Sequence, residues 1–153
     1  RMKDVEDTER PFAEEGYALM GAAFEVHRTL GGGLLEEIYQ ESLEIELEMR
    51  GIPFRPRQEL AVHYKDRRLN KRYVPDLFVF ETIVVELKAV SSLTHDHEAQ
   101  LMNYMRITRQ PVGYLILVQS ASLNGSGSSS RNTSAISVHQ RESAVGDGNG
   151  VPG

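Results

Sequence analysis

The sequence predicts a mixed α/β domain, an α+β arrangement around a mixed sheet, with elements in the order α-α-β-β-β-α-β. Three observations carry this. Apolar residues recur at helical steps from residue 12 to residue 50, with a glycine cluster dividing the run. From Gln58 the apolar period changes to two, the mark of a half-buried strand. A last apolar run, VGYLILV at 112–118, follows another helical segment, so it enters the sheet by a crossover and pairs in parallel with a neighbour.

The first helix is expected over 12–30, with Tyr17, Met20, Ala23, Phe24 and His27 on its apolar face. GGG at 31–33 ends it, because glycine readily takes the backbone conformation of a helix C-cap. A second helix is expected over 34–50, with Leu35, Ile38, Ser42, Ile45 and Met49 forming its stripe and Leu43 and Leu47 widening it. Gly51 caps this helix and Pro53 stops it. QELAVHYK is the first strand, and KDRR a turn. LNKRYVPDLFVF reads as a second strand and TIVVELKAV as a third, joined by a tight turn near Glu81 and Thr82 into an antiparallel hairpin. Pro75 has no N–H to donate, so it marks an edge or a bulge. Thr94 is the expected N-cap of a helix over 95–108.

Residues 119–153 are rich in Ser, Gly and Asn, with few large apolar residues and no aromatic. Such a composition buries too little to offset ordering entropy, so it reads as a disordered tail behind a single domain at 12–118. Forty per cent of the 153 residues are apolar, enough for a core, and the absence of cysteine fits a reducing compartment. No apolar run reaches the roughly 20 residues of a membrane span. The N-terminus has no apolar signal core. The expected location is therefore the cytoplasm, with no membrane partner. The net charge is −5, yet residues 55–72 hold seven Lys or Arg against two acids. That basic segment suits a polyanion such as nucleic acid at one face, or a strand edge that charge keeps from pairing.

YVPDLFVFETIVVELKAV sets Asp76, Glu86 and Lys88 in the most apolar stretch of the chain. Buried ions are normally paired or bound to a metal. Alternation puts Glu86 and Lys88 on one face of their strand, and a tight turn brings Asp76 opposite them. Two carboxylates side by side repel. A Mg²⁺ ion, which takes carboxylate oxygens and keeps several waters, relieves this in a site completed by phosphate. A nearby lysine then stabilises developing negative charge. An ordinary ion pair at a solvated sheet end is the alternative on spacing alone.

Four motifs now stand in order: GLLEEIY with Gly33, Glu36 and Tyr39; Pro75-Asp76; Glu86-Leu87-Lys88; and HEAQLMNYM with Gln100 and Tyr104. Together, over about residues 16 to 118, they resemble the GxxExxY family of the PD-(D/E)XK nuclease superfamily. The resemblance implies a restriction-endonuclease-like αβββαβ core, here with an extra N-terminal helix. It implies metal-dependent phosphodiester hydrolysis of nucleic acid, DNA ahead of RNA. Asp76 and Glu86 would bind Mg²⁺ or Mn²⁺ with the Leu87 carbonyl, Glu36 would be a further acidic ligand, and Lys88 would activate water. Gln100, Tyr104 and Tyr39 would support the site or touch nucleic acid, with Arg67, Arg68, Lys71 and Arg72 holding its backbone. A catalytically inactive nucleic-acid-binding or regulatory module of the same fold is the alternative. HDHE at 95–98 lacks the second ligand pair of a zinc site, and GGG lacks the Lys-Ser/Thr of a phosphate loop. Tyr39 and His27 also read as packing residues.

Overall fold

The computed structural model describes residues 12–118 and the backbone of 136–140. Two helices, α1 (Ala13–Leu30) and α2 (Glu36–Met49), come first. Gly31 follows α1 with φ 73°, a value that costs glycine little. Next come β1 (Phe54–Pro56), β2 (Leu60–Tyr64), β3 (Arg67–Tyr73), β4 (Leu77–Val79) and β5 (Ile83–Lys88). Helix α3 (His95–Thr108) leads to β6 (Val112–Leu117), and β7 (Ile136–Gln140) is the last described element. Thr94 caps α3 as expected: its hydroxyl accepts from the His97 N–H while the His97 side chain accepts from the Thr94 N–H.

The main sheet has the order β1-β4-β5-β6-β7, with β5 and β6 parallel and the other pairs antiparallel. Strands β2 and β3 form a separate antiparallel ribbon. Ile83, Val85 and Leu87 turn one face of the central strand to Leu19 and Val26 of α1 and Leu43 and Leu47 of α2. On the other face, Val84 joins Phe78 and Leu115 under Leu101 and Met105 of α3 and Leu60, Val62 and Tyr73 of the ribbon. The sheet is thus a middle layer between a helix pair and a helix-plus-ribbon. Gly113 allows the second contact to be close: a Cβ there would lie 2.5 Å from Met105 Sδ. No helix among the described residues is long and apolar enough to cross a membrane.

Four expectations change. LNKRYVPDLFVF is not one strand. Pro75 cannot donate to a ladder, and around it the chain leaves the ribbon at Tyr73 and joins the main sheet at Leu77. The short edge strand β1 was not expected; its pairing with β4 is dictated by a partner more than twenty residues away. The expected stripes of both helices are largely displaced from the buried side, although Leu43 and Leu47 of α2 are buried as expected. α1 buries Gly16, Leu19, Ala22 and Val26 while Tyr17 is 83% exposed, and α2 buries Tyr39, Gln40, Leu43 and Leu47 while Ile45 and Met49 are exposed. Within 119–153, the alternating ISVHQ segment pairs with β6 as β7 instead of remaining unstructured. The rest of the expected tail lies outside the described residues.

Candidate active site

The β4–β5 hairpin turns at Phe80 and Glu81, both at positive φ (54° and 59°), with the Thr82 N–H on the Val79 carbonyl. Two such residues give the twist that two antiparallel strands need. The register pairs Leu77 with Val85, which leaves Asp76 beside Glu86 at the open end. The Asp76 carboxylate accepts the Leu87 N–H at 2.7 Å. Its peptide is held as well: the Asp76 carbonyl accepts from Gln40 Nε2 at 2.9 Å and from the Arg57 N–H at 3.2 Å. Gln40 is buried on α2, one turn beyond Glu36. Glu36 accepts the Ala89 N–H at 3.1 Å, just past the end of β5. The first two turns of α2 therefore grip both edges of the site.

Glu86 and Lys88 point to the side of α3 and the ribbon. Both line a cavity of about 440 Å³ with Lys71, Arg72, Gln100 and Tyr104. The Tyr73 hydroxyl donates to Glu86, and the Tyr73 ring stacks on Tyr104 with centroids 3.9 Å apart and planes 6° from parallel. Burial raises the Glu86 carboxyl to about 8, aided by the neighbouring Asp76 and opposed by the Tyr73 hydroxyl and Lys88. Burial and the Glu86 charge push the Tyr73 phenol up in turn.

The expected set is thus partly assembled. Asp76, Glu86, Leu87 and Lys88 meet at one end of the hairpin, and Lys71, Arg72, Gln100 and Tyr104 wall the cavity beside them. Arg67 and Arg68 begin β3 at the exposed far end of the ribbon and do not line the cavity. Tyr39 is not a contact surface: it is buried in the core, and its hydroxyl donates to the Gly31 carbonyl. Among the described residues no three His, Asp or Glu side chains converge into a metal-holding cluster, so Glu36 does not complete a triad with Asp76 and Glu86. The adjacent pair still fits a hard divalent cation: Mg²⁺ is commonly held by one or two carboxylates and completes its shell with water and phosphate. A buried carboxyl held protonated against a second one is the donor set such a charge would relieve. Two residues of the site carry no motif of their own. Tyr73 stands three positions before Asp76, and Gln40 follows Tyr39. The only signal for either was a polar or aromatic group within a motif's reach.

Comparison with known proteins now bears on this geometry. A family model described as the PD-(D/E)XK nuclease superfamily matches residues 13–145. Among curated proteins, none matches the chain. A solved structure titled "Crystal structure of SSO0001" is similar at a TM-score of 0.48 and 16% identity, over 84% of this chain. This chain spans 58% of that protein's length. The match to the family model runs from α1 through the hairpin bearing Asp76, Glu86 and Lys88 to beyond β7, and the chain belongs to the PD-(D/E)XK nuclease superfamily.

Proposed function

We propose that the protein is a divalent-metal-dependent nuclease of the GxxExxY type, hydrolysing phosphodiester bonds in nucleic acid, with DNA as its substrate. One observation supports this above the others. Asp76 and Glu86 stand together beside Lys88, next to a cavity whose opposite walls offer Lys71, Arg72 and Gln100. Asp76 and Glu86, with the Leu87 carbonyl, would hold Mg²⁺ or Mn²⁺. Such a cation, when bound, supplies charge stabilisation at the scissile phosphate and a more acidic water.

The chain's own groups do the rest. Lys71 and Arg72 draw the phosphodiester backbone into the cavity. Lys88 balances the negative charge that grows on the phosphoryl oxygens and orients the attacking water. Tyr73 fixes the Glu86 carboxyl, and stacking on Tyr104 fixes Tyr73. Gln40 and the Leu87 N–H fix Asp76 from its two sides. Glu36 secures the end of β5 through Ala89. A tightly held constellation loses little to misorientation during reaction.

A catalytically silent nucleic-acid-binding module is the second reading. The Tyr73 hydroxyl favours it, because it occupies a Glu86 oxygen that a cation would use. One experiment separates the two. The full chain is incubated with Mg²⁺ or Mn²⁺ and single- and double-stranded DNA and RNA, beside Lys88→Ala. The nuclease reading expects metal-dependent cleavage that Lys88→Ala loses while retaining nucleic-acid binding. Binding without cleavage of all four substrates in either metal hands the case to the silent module.

A further inference from the structure

Helix α2 has two apolar faces. Tyr39, Leu43 and Leu47 are buried in the core. On the outer side, Leu35 at the N-cap, Ile38, Ile45 and Met49 are 68, 41, 53 and 77% exposed, and Ser42 continues their line. The steps from 35 to 38, 42, 45 and 49 alternate three and four. That is the spacing of a helix–helix seam, where one stripe meets a second helix along its length. Isolated exposed aliphatics are ordinary, but four in one register form a patch of the kind that marks an interaction site.

The charges beside the seam say what it fits. In the seam register, Glu41 and Glu48 flank one side, and Tyr39 and Glu46 flank the other. Tyr39 is buried and Glu46 is bridged to Arg50 at 2.8 Å. Glu41 and Glu48 are exposed and form no ion pair among the described residues. A second copy of α2 would set acid against acid in either orientation: Glu41 and Glu48 against each other when antiparallel, or against Glu46 when parallel. An anionic lipid surface is repelled by the same residues.

We propose that the outer face of α2 docks an amphipathic helix of another protein, one with aliphatic residues along its seam and Lys or Arg at the flanking positions. This does not depend on nuclease activity. The site lies on the side of α2 opposite Tyr39, Leu43 and Leu47, which face the core.

The test uses a property of the sequence: the chain has no cysteine. Ile45→Cys therefore places one thiol at the seam's centre, and Met49→Cys supplies a second label position should the first variant not fold. Maleimide labelling rates are measured on the full chain, alone and with two synthetic three-heptad peptides. Both peptides carry Leu and Ile along the seam; one has Lys at the flanking positions and the other has Glu. Labelling is expected to be fast for the chain alone and slowed roughly tenfold by the Lys peptide, as a site about nine-tenths occupied requires. The Glu peptide is expected to leave it fast, and Ile38→Ser is expected to remove the protection. Slow labelling at every dilution means that the protein's own chain covers the face. Slow labelling relieved by dilution means a second copy does. Either result overturns the proposal, as does equal protection by both peptides, none by either, or protection that survives Ile38→Ser.

Discussion

Glu86 concentrates the chemistry of the site in one side chain. It is an acid on the third-last residue of the central strand, with a phenol, a second carboxyl and an ammonium as neighbours. Burial raises it from an ordinary 4.5 to about 8. The stability consequence follows from proton counting. Between those two values the folded metal-free protein keeps a proton that the unfolded chain has released, so stability falls as pH rises through this window. Below about 4.5 both states hold the proton and the penalty is absent. A pKa unit corresponds to about 1.4 kcal/mol, so the loss between the two limits is on the order of a few kcal/mol. Glu86→Gln cannot ionise and keeps an oxygen for the Tyr73 hydroxyl. Urea unfolding in chelator from pH 4 to 9 is expected to show the variant gaining on the wild type as pH rises. Parallel curves for the two proteins would remove Glu86 from the account. The carboxylates and the lysine were legible in the sequence because their spacing on a hairpin is a local matter. Tyr73 and Gln40 were not, because their partners lie 13 and 36 positions away and only the packed fold brings them together.

At the scale of elements, periodicity identified both N-terminal helices but not their orientation. On α2 two stripes satisfy a helical repeat. The 35-38-42-45-49 stripe carries more aliphatic residues than the 39-43-47 stripe that the sheet actually covers. A helical repeat reports that a stripe exists, and tertiary contacts select which stripe is buried. LNKRYVPDLFVF failed for the complementary reason. Tyr73, Val74, Phe78, Val79 and Phe80 favour strands on both sides of Pro75, and the proline that divides them between two sheets was legible only as an edge or a bulge. The β4–β5 turn was placed within a residue, though its conformation is costly. Phe80 and Glu81 both sit at positive φ, where a side chain is disfavoured and glycine is not. Glu81 is exposed, and its only ion pair among the described residues is an exposed one to Arg55 at 2.9 Å. Such pairs are worth little, about 0–1 kcal/mol. Glu81→Gly is therefore expected to raise stability, by about 0.5–1 kcal/mol, since the conformational gain exceeds the lost pair. Thermal unfolding checks it, and a lower melting temperature would mean that the Arg55 pair or unfolded-state entropy wins.

The whole molecule redistributes the charge that the sequence places in one run. Seven cations crowd residues 55–72, but the fold divides them. Arg55, on β1, is bound to Glu81 at the hairpin turn, the end opposite Asp76. Arg57 sits beside Glu44 of α2. Lys65, Arg67, Arg68, Lys71 and Arg72 remain on the ribbon, which covers the sheet face carrying Glu86 and Lys88. Within that ribbon Lys71 and Arg72 line the cavity, and Arg67 and Arg68 lie beyond it. Under the proposed function, Arg67 and Arg68 act before chemistry by neutralising phosphates outside the cavity. Each phosphate contact releases counterion and adds about 0.9 to the salt dependence of binding. The double variant Arg67→Ala, Arg68→Ala is expected to weaken binding uniformly across sequences and to flatten the log-log salt slope by up to about two. The cleavage rate at saturating substrate is expected to stay unchanged, because neither guanidinium reaches Glu86 or Lys88. Affinity measured across a salt series, with single-turnover rates alongside, separates the effects. An unchanged slope would mean that nucleic acid does not track along the ribbon, and a lost saturating rate would mean that the far end of the ribbon takes part in the reaction itself.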